Sequence, residues 1–294
     1  MAVFCNYEID SDAKRKEDIM MLYKKLNNGN QIPQLGYGVW KVTNEEASTA
    51  VESAIKRGYR LIDTATIYRN ERGVGDALAK NIVPREDLFI TTKVWNADQG
   101  YDQTIAAYND SLEKLGLSYV DLYLIHWPTP KYDTYIETYK ALEKLYRDGK
   151  VKAIGVCNFD IEHLERIMEE CEVIPTVNQV EYHPYLQQKE LREFCHKHDI
   201  QLEAYSPLMN GKTVLQDTEI TTLAKKHNKT PAQIILRWHI QSDHIVIPKT
   251  VTPSRMEENL NVFDFNLTDS DMETISGLDR NERINAIPNE MHIR

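Results

Sequence analysis

From Leu35 onward, short apolar runs alternate with segments in which apolar residues recur three and four positions apart. The runs have the length of buried strands and the segments have the period of amphipathic helices. The eight predicted strands are Leu35–Tyr37, Arg60–Asp63, Leu88–Lys93, Asp121–His126, Ala153–Val156, Thr176–Val180, Gln201–Tyr205 and Ile245–Pro248. The predicted helices between them include Glu45–Arg57, Tyr101–Leu115, Tyr132–Arg147, Ile161–Glu170 and Gln188–His198. Eight strand–helix units in one chain predict an α/β fold, a single (β/α)8 TIM barrel.

A β-hairpin is predicted ahead of the first barrel strand. Two short strand patterns, Leu22–Leu26 and Gln31–Pro33, flank an Asn-Gly turn in Asn27–Asn30. We expect this hairpin to plug the bottom of the barrel. Residues 1–20 are polar and aperiodic, so they are expected to be a dispensable or flexible extension, with the barrel at 21–294. They lack the basic flank and apolar core of a signal peptide.

The main alternative fold, a doubly wound sheet, would carry a glycine fingerprint directly after an early strand. The pair Gly36 and Gly38 lacks the third glycine of that motif. Gly73 and Gly75 fall inside a helical segment rather than at a strand-to-helix turn. Neither pair fits, and the barrel is favoured.

Charge and cysteine content limit the partners and the compartment. The net charge is −10, which disfavours nucleic-acid binding, and a phosphorylated ligand would need a local cationic pocket. No apolar run approaches the roughly 20 residues of a membrane span. The four cysteines show no CxxC spacing, which is typical of a reduced, cytoplasmic protein.

Chemically active side chains end several of the predicted strands, where barrel enzymes gather their chemistry. Asp63, Lys93, His126 and Tyr205 end strands, and Tyr68 follows Asp63 in the next loop. Each has a plain structural interpretation: a helix cap, a solvated strand end, a core histidine or a packed ring. Together they predict a proton-donating site.

Tyr68 is the predicted proton donor. The ordinary phenol pKa of about 10 is high for acid–base work near neutrality, and an adjacent cation, Lys93, would lower the pKa. A buried lysine needs an anion to stay charged, and Asp63 is suited to that role. His126 can donate a hydrogen bond to a carbonyl oxygen. The set predicts reduction of a carbonyl group.

A helix start after the last strand predicts an anion site. Thr252 and Pro253 form a threonine cap with proline at the first helical position. Lys249 and Arg255 flank the free N–H groups there, and Asn259 shares a helix face with Arg255. A solvated cationic helix start is the alternative interpretation.

Seven sequence motifs in their order resemble the aldo-keto reductase superfamily over about 35–265. They are IDTATIYRNERGVG, TTKVWNADQG, DLYLIHWP, AIGVCNF, VNQVEYHPYLQQ, AYSPL and VIPKTVTPSRMEEN. The chain is most similar to the group with 2,5-diketogluconate reductases, glyoxal reductases and prostaglandin F synthase-like enzymes. The resemblance implies a catalytic tetrad of Asp63, Tyr68, Lys93 and His126, hydride from a nicotinamide, a small carbonyl substrate and a monomer.

The same resemblance assigns a cofactor site and favours NADPH. It implies that Lys249, Thr250 and Arg255 contact the adenosine 2′-phosphate and that Asn259 lies at the adenine. It places three residues at the carboxamide, Tyr205 stacked on the nicotinamide, and a loop over the pyrophosphate. The three residues are Cys157, Asn158 and Gln179, and the loop begins with Ser206 and Leu208. The family usually has serine in place of Cys157, and a thiol is a weaker hydrogen-bond donor.

Substrate contacts are implied for His126 and for three tryptophans, Trp40, Trp95 and Trp127. The tail from Arg280 departs from the usual ending of related reductases, so the substrate stays open. Two other function classes remain: an NADPH-binding regulatory protein with little turnover, and a metal-dependent barrel hydrolase using His126 and His183. No HExxH motif supports the second, and no metal is expected.

Overall fold

The computed structural model describes residues 22–294. The predicted extension at residues 1–20 lies outside this range. The described strands are β1 Tyr23–Lys25, β2 Gln31–Pro33, β3 Tyr37–Gly38, β4 Leu61–Asp63, β5 Phe89–Val94, β6 Val120–Ile125, β7 Val151–Cys157, β8 Val177–Glu181, β9 Gln201–Tyr205 and β10 Ile245–Val246. The described α-helices are α1 Asn44–Arg57, α2 Glu71–Leu78, α3 Tyr101–Leu115, α4 Tyr135–Arg147, α5 Ile161–Glu170, α6 Lys189–Lys197, α7 Thr218–His227, α8 Pro231–Gln241, α9 Pro253–Leu260 and α10 Asp269–Ser276.

Strands β3 to β10 form one parallel sheet in the order of the chain. A parallel bridge between Leu35 and Val246 joins the two ends of this sheet, and the Gly36 N–H donates to the Val246 carbonyl at 2.8 Å. The predicted α/β barrel is confirmed. In this topology the carboxyl ends of all eight strands face the same side of the molecule.

Three of the predicted elements are longer than the observed ones for identifiable backbone reasons. Helix α4 begins at Tyr135 rather than at the predicted Tyr132, because Asp133 has a left-handed φ of 51°. Gln188, with a φ of 37°, likewise precedes α6 instead of starting it. Strand β10 ends before Pro248, which has no amide hydrogen to continue a ladder.

The predicted hairpin is present and lies against the bottom of the barrel. Strands β1 and β2 are antiparallel, and the hairpin buries Leu26 and Ile32 in the cluster that fills the barrel interior. Asn28 Nδ2 donates to the carbonyl of Lys152, near the amino end of β7, and Asn27 Nδ2 donates to the carbonyl of Pro175, just before β8. A second core lies between the sheet and its helices. Within residues 22–294, no helix has the length and hydropathy needed to cross a bilayer.

Helix α2 packs tightly because of its two glycines, which explains the Gly-x-Gly pattern seen in the sequence. A β-carbon on Gly75 would lie 2.6 Å from the Lys114 carbonyl oxygen and 2.7 Å from that of Leu115. A β-carbon on Gly73 would lie 2.1 Å from the carbonyl oxygen of Asn44, the first residue of α1. The glycines therefore let α2 sit between α1 and α3, directly after Tyr68.

Replacing Gly75 by alanine should destabilise the fold. The new methyl group would press on backbone that cannot rotate away, at a cost of roughly 1–3 kcal/mol. Gly277→Ala is the matched control, since its β-carbon would meet only ordinary contacts at 3.4 Å or more. Urea unfolding midpoints compare the two variants. Equal midpoints would contradict the packing role assigned to Gly75.

Candidate active site

A cavity of about 930 Å³ opens at the carboxyl ends of the strands. It is lined by every residue predicted for catalysis, cofactor or substrate contact except Lys93. These residues are Trp40, Asp63, Tyr68, Trp95, His126, Trp127, Cys157, Asn158, Gln179, Tyr205, Ser206, Leu208, Lys249, Thr250, Arg255 and Asn259. The sequence-predicted set is therefore spatially coherent.

Lys93 lies behind the cavity wall, with a side chain that is 0% exposed. Its Nζ donates to Asp63 Oδ1 at 2.7 Å and to the Thr64 carbonyl at 2.9 Å. Burial alone pushes the pKa of Lys93 down, but the charge of Asp63 beside it carries that pKa above its ordinary value. Lys93 is therefore a cation without direct access to the cavity.

Asp63 is held on both oxygens. Its Oδ1 accepts from Lys93, and its Oδ2 accepts from Gln179 Nε2 at 2.8 Å. The helix that follows has Asn70 at its N-cap position, so Asp63 does not cap it. Strand register explains why Asp63 contacts Lys93. Asp63 pairs with Thr91 on β5, which lies two residues before Lys93. The side chains of Asp63 and Lys93 both point into the barrel.

Tyr68 ends a short 3₁₀ helix, Thr66–Tyr68, which carries it back over the cavity. Thr66 Oγ1 fixes this turn by donating to the Lys93 carbonyl at 2.9 Å. Lys93 Nζ lies 5.2 Å from the centre of the Tyr68 ring.

The prediction that Tyr68 has a lowered pKa is wrong for this structure. Burial raises the pKa of Tyr68, and the nearby Lys93 charge offsets only part of that rise. The phenol is consequently protonated throughout the physiological pH range.

His126 sits with its ring edge-on to both Tyr68 and Trp95, at centroid distances of 5.7 and 5.3 Å. Burial, with a smaller contribution from the Lys93 charge, holds the pKa of His126 well below its usual range. The imidazole is therefore neutral and carries one N–H donor. Its Nδ1 has no partner within residues 22–294.

The four residues predicted at the nicotinamide end form one hydrogen-bonded group. Tyr205 donates to Asn158 Oδ1 at 2.7 Å, and Asn158 Nδ2 bonds to both the His126 carbonyl and Cys157 Sγ. Cys157 Sγ in turn lies 3.7 Å from Gln179 Oε1. Burial raises the pKa of the Cys157 thiol, which is therefore protonated.

The other end of the cavity is cationic. Lys249 and Arg255 line it, as predicted, and Lys41 and Lys212 are further cations in the cavity lining. Thr252 occupies the N-cap position of α9, but its side chain makes no capping hydrogen bond, which corrects the sequence-based interpretation. At this helix start Pro253 has no N–H, the Thr252 N–H donates to Thr250 Oγ1, and the Arg255 and Met256 N–H groups donate to the Thr252 carbonyl. The Ser254 N–H is therefore the backbone donor that can meet an anion here, beside the Lys249 and Arg255 side chains.

The C-terminal tail contributes a cavity residue that the sequence did not reveal, Asn285. Its backbone N–H and its Nδ2 both donate to Glu181 Oε2 at 3.0 Å, and the Ile284 N–H donates to Glu181 Oε1 at 2.7 Å. The tail has no hydrophobic period, and its position depends on a carboxylate about a hundred residues away. A local sequence pattern therefore cannot predict that Asn285 lines the cavity.

The three tryptophans lie around the mouth. Trp127 stacks parallel to the His126 ring at 6.5 Å, whereas Trp40 is well exposed beneath Lys41 Nζ at 4.2 Å. His183, considered as a metal ligand, lies outside the cavity, with Nε2 3.0 Å from Glu181 Oε1. Among residues 22–294 no group of three or more His, Cys, Asp or Glu side chains is arranged to hold a metal ion.

Known proteins resemble this chain over most of its length. Residues 33–280 match the Aldo/keto reductase family. Glyoxal reductase of Bacillus subtilis (strain 168) is 53% identical over 268 residues, 91% of this chain and 96% of that protein. The 9,11-endoperoxide prostaglandin H2 reductase of Trypanosoma cruzi (strain CL Brener) is 50% identical over 266 residues, 90% of this chain and 93% of that protein.

A solved structure shows the same fold. The crystal structure of a mutant of Gox0644 in complex with NADPH aligns with a TM-score of 0.89 and 47% sequence identity, over 92% of this chain and 98% of that one. The sequence match and the barrel agree with the resemblance drawn from the seven motifs. The chain belongs to the aldo/keto reductase family, whose members are oxidoreductases acting on carbonyl or alcohol groups.

Proposed function

We propose that this chain catalyses the NADPH-dependent reduction of aldehydes and ketones to alcohols, with Tyr68 as the proton donor. One observation carries the proposal. The Tyr68 phenol lines the cavity, while the charged Lys93–Asp63 pair lies buried directly behind the phenol ring. A protonated phenol backed by a fixed cation is suited to delivering a proton to an oxygen that becomes negative.

Each member of the proposed tetrad has a distinct task. Tyr68 donates its proton to the carbonyl oxygen, and Lys93 stabilises the phenolate left behind. Asp63 keeps Lys93 charged at a position where burial alone would favour loss of the proton. His126, neutral because of burial, donates a hydrogen bond to the same oxygen and orients the carbonyl carbon.

The described residues fit a dinucleotide phosphate. At one end, Asn158 Oδ1 and Gln179 Oε1 each keep capacity to accept from a carboxamide N–H, and the Tyr205 ring lines the same wall. At the other end lie Lys249, Thr250, Arg255 and Asn259, which we assign to the adenosine phosphate and adenine. Ser206 and Leu208 lie between the two groups along the chain. The bound cofactor would supply the hydride.

The proposed substrates are small carbonyl compounds. The wall formed by Trp40, Trp95 and Trp127 is aromatic and adjoins His126, which suits a compact molecule with one polar end. One of the similar proteins supports this class, since it is named a glyoxal reductase, whereas the other is named for an endoperoxide substrate. Glyoxal, methylglyoxal and small aldehydes are therefore the first compounds to assay.

Tyr68→Phe should lower kcat about 10²- to 10⁴-fold, the usual contribution of a general acid, with little change in NADPH affinity. Reduced-nicotinamide absorbance measures turnover across the carbonyl panel, and fluorescence titration measures binding. Tyr119→Phe is the matched control, since Tyr119 precedes β6 at the opposite end of the barrel. A Tyr68→Phe enzyme with wild-type turnover would refute the proton-donor role. NADPH binding by the wild type without turnover of any carbonyl would instead favour a regulatory protein.

Arg255→Ala should weaken NADPH binding roughly 10- to 100-fold while changing NADH binding little, because a charge-assisted hydrogen bond contributes about 1.5–3 kcal/mol. The Kd values of both cofactors are measured side by side. Lys189→Ala removes an exposed first-turn cation from α6, outside the cavity, and serves as the control. Equal losses for the two cofactors would show that Arg255 does not recognise the 2′-phosphate.

A further inference from the structure

Glu203 is a carboxyl group inside the barrel that the proposed reaction does not use. It lies on β9, 0% exposed, and does not line the cavity. Its Oε2 accepts from Gln179 Nε2 at 3.0 Å, and its Oε1 has no partner within residues 22–294. The same Gln179 nitrogen donates its other hydrogen to Asp63 Oδ2 at 2.8 Å. One amide nitrogen thus joins two buried carboxyl groups.

The groups facing Glu203 from the other strands set its charge. Asp63 comes from β4, Lys93 from β5, Cys157 from β7 and Gln179 from β8, while the β10 residue paired with Glu203 is apolar. Lys93 is the cation of this group, and it bonds to Asp63. Glu203 makes no hydrogen bond to Lys93. Ionisation of Glu203 would therefore add a second buried negative charge that has no cation bonded to it.

We propose that Glu203 is a positioning residue for carbonyl reduction, which holds the Gln179 amide against Asp63 and, as a neutral acid, limits the negative charge beside Lys93. The inference rests on the proposed function of the Tyr68 site. Gln179 has both amide hydrogens occupied by the two carboxyl groups, so its Oε1 is aimed in one direction. Without an acceptor at residue 203, the amide can rotate and Asp63 loses part of its fixed geometry.

The protonation state of Glu203 follows from its surroundings. Burial first, and the Asp63 charge second, raise the pKa of Glu203 to about 8. The carboxyl is therefore mainly neutral at pH 7 and ionises as the pH rises through about 8. The added negative charge then raises the pKa of Tyr68 further, which makes the phenol a weaker acid and slows reduction.

The same pKa predicts how stability varies with pH. A glutamate in the unfolded chain loses its proton near pH 4.3, about the model-peptide value, whereas the folded chain keeps this proton until about pH 8. Stability associated with the bound proton is complete below the lower value and is lost progressively as pH rises from the lower value through the higher one. Glu203→Gln cannot ionise and escapes this loss.

Two variants separate the role of Glu203 as a hydrogen-bond acceptor from the effect of its ionisation. Glu203→Gln keeps an oxygen that can accept from Gln179 but removes the ionisation, whereas Glu203→Leu removes both. At pH 7, Glu203→Leu should have a kcat/KM about ten-fold below that of Glu203→Gln, the loss expected for one hydrogen bond. The fall in wild-type kcat/KM above pH 8 should be absent or shifted to higher pH in Glu203→Gln. Glu143→Gln, which removes a buried carboxyl on α4 outside the cavity, should keep the wild-type pH profile.

Melting temperatures provide a readout that needs no turnover. The melting temperature of Glu203→Gln minus that of the wild type should increase from pH 5 to pH 8 and then level off. If the variants fail to fold, carboxyl ¹³C spectra of the wild type should still show a buried glutamate that titrates near pH 8.

Three results would each overturn the inference. The first is a fall in kcat/KM above pH 8 in Glu203→Gln that matches the wild type. The second is an equal kcat/KM in the two variants, and the third is a melting-temperature difference that does not change with pH. These results are distinguishable from failure of the proposed function. If no carbonyl is reduced, the melting and ¹³C measurements still report the protonation of Glu203, but its positioning role is rejected. If carbonyls are reduced and Tyr68→Phe lowers turnover as described above, the kinetic results test the positioning role of Glu203 alone.

Discussion

The buried ion pair of Lys93 and Asp63 is the constraint on which the rest of the site depends. An unpaired ammonium in the barrel would lose its proton, and an unpaired carboxylate would gain one, because neither charge is solvated there. Adjacent parallel strands bring the two groups to 2.7 Å. Replacing such a pair by well-packed apolar residues often leaves stability unchanged or improves it. The pair therefore fits the proposed role, a fixed charge behind Tyr68, better than a role in stability.

Local charge matters more than total charge for the ligand. The chain carries a net charge of −10, yet the described cavity is lined by four cations, Lys41, Lys212, Lys249 and Arg255, against two carboxylates, Asp63 and Glu258. Salt screens exposed charges beyond about 8 Å at physiological ionic strength. An anionic cofactor in this cavity would therefore interact mainly with these lining charges, among which the cations outnumber the carboxylates. The protein can be acidic overall and still suit a phosphorylated ligand.

Much of the fold and of the site was predictable from strand ends and helical periods. Helices α3 and α5 were predicted to the residue, and the proposed tetrad follows from the residues at the ends of β4, β5 and β6 and in the loop after β4. The pKa of Tyr68 was not predictable, because it depends on how completely the barrel desolvates the phenol. In the sequence, Glu203 is one polar position in a buried strand, and the groups that face it come from four other strands. The position of Asn285 depends on its contact with Glu181, so no local sequence pattern predicts it.

A double-mutant cycle on Asp63 and Lys93 tests the central claim most directly, with kcat/KM for a small aldehyde and the free energy of unfolding measured on the same proteins. Asp63→Asn, Lys93→Met and the double variant complete the cycle. The account predicts that either single variant is destabilised by about 3–5 kcal/mol, the usual result of leaving a buried charge unpaired. The double variant should recover most of that stability while its kcat/KM stays orders of magnitude below wild type. A stable double variant with wild-type kcat/KM would contradict the claim that this charge makes Tyr68 an effective acid.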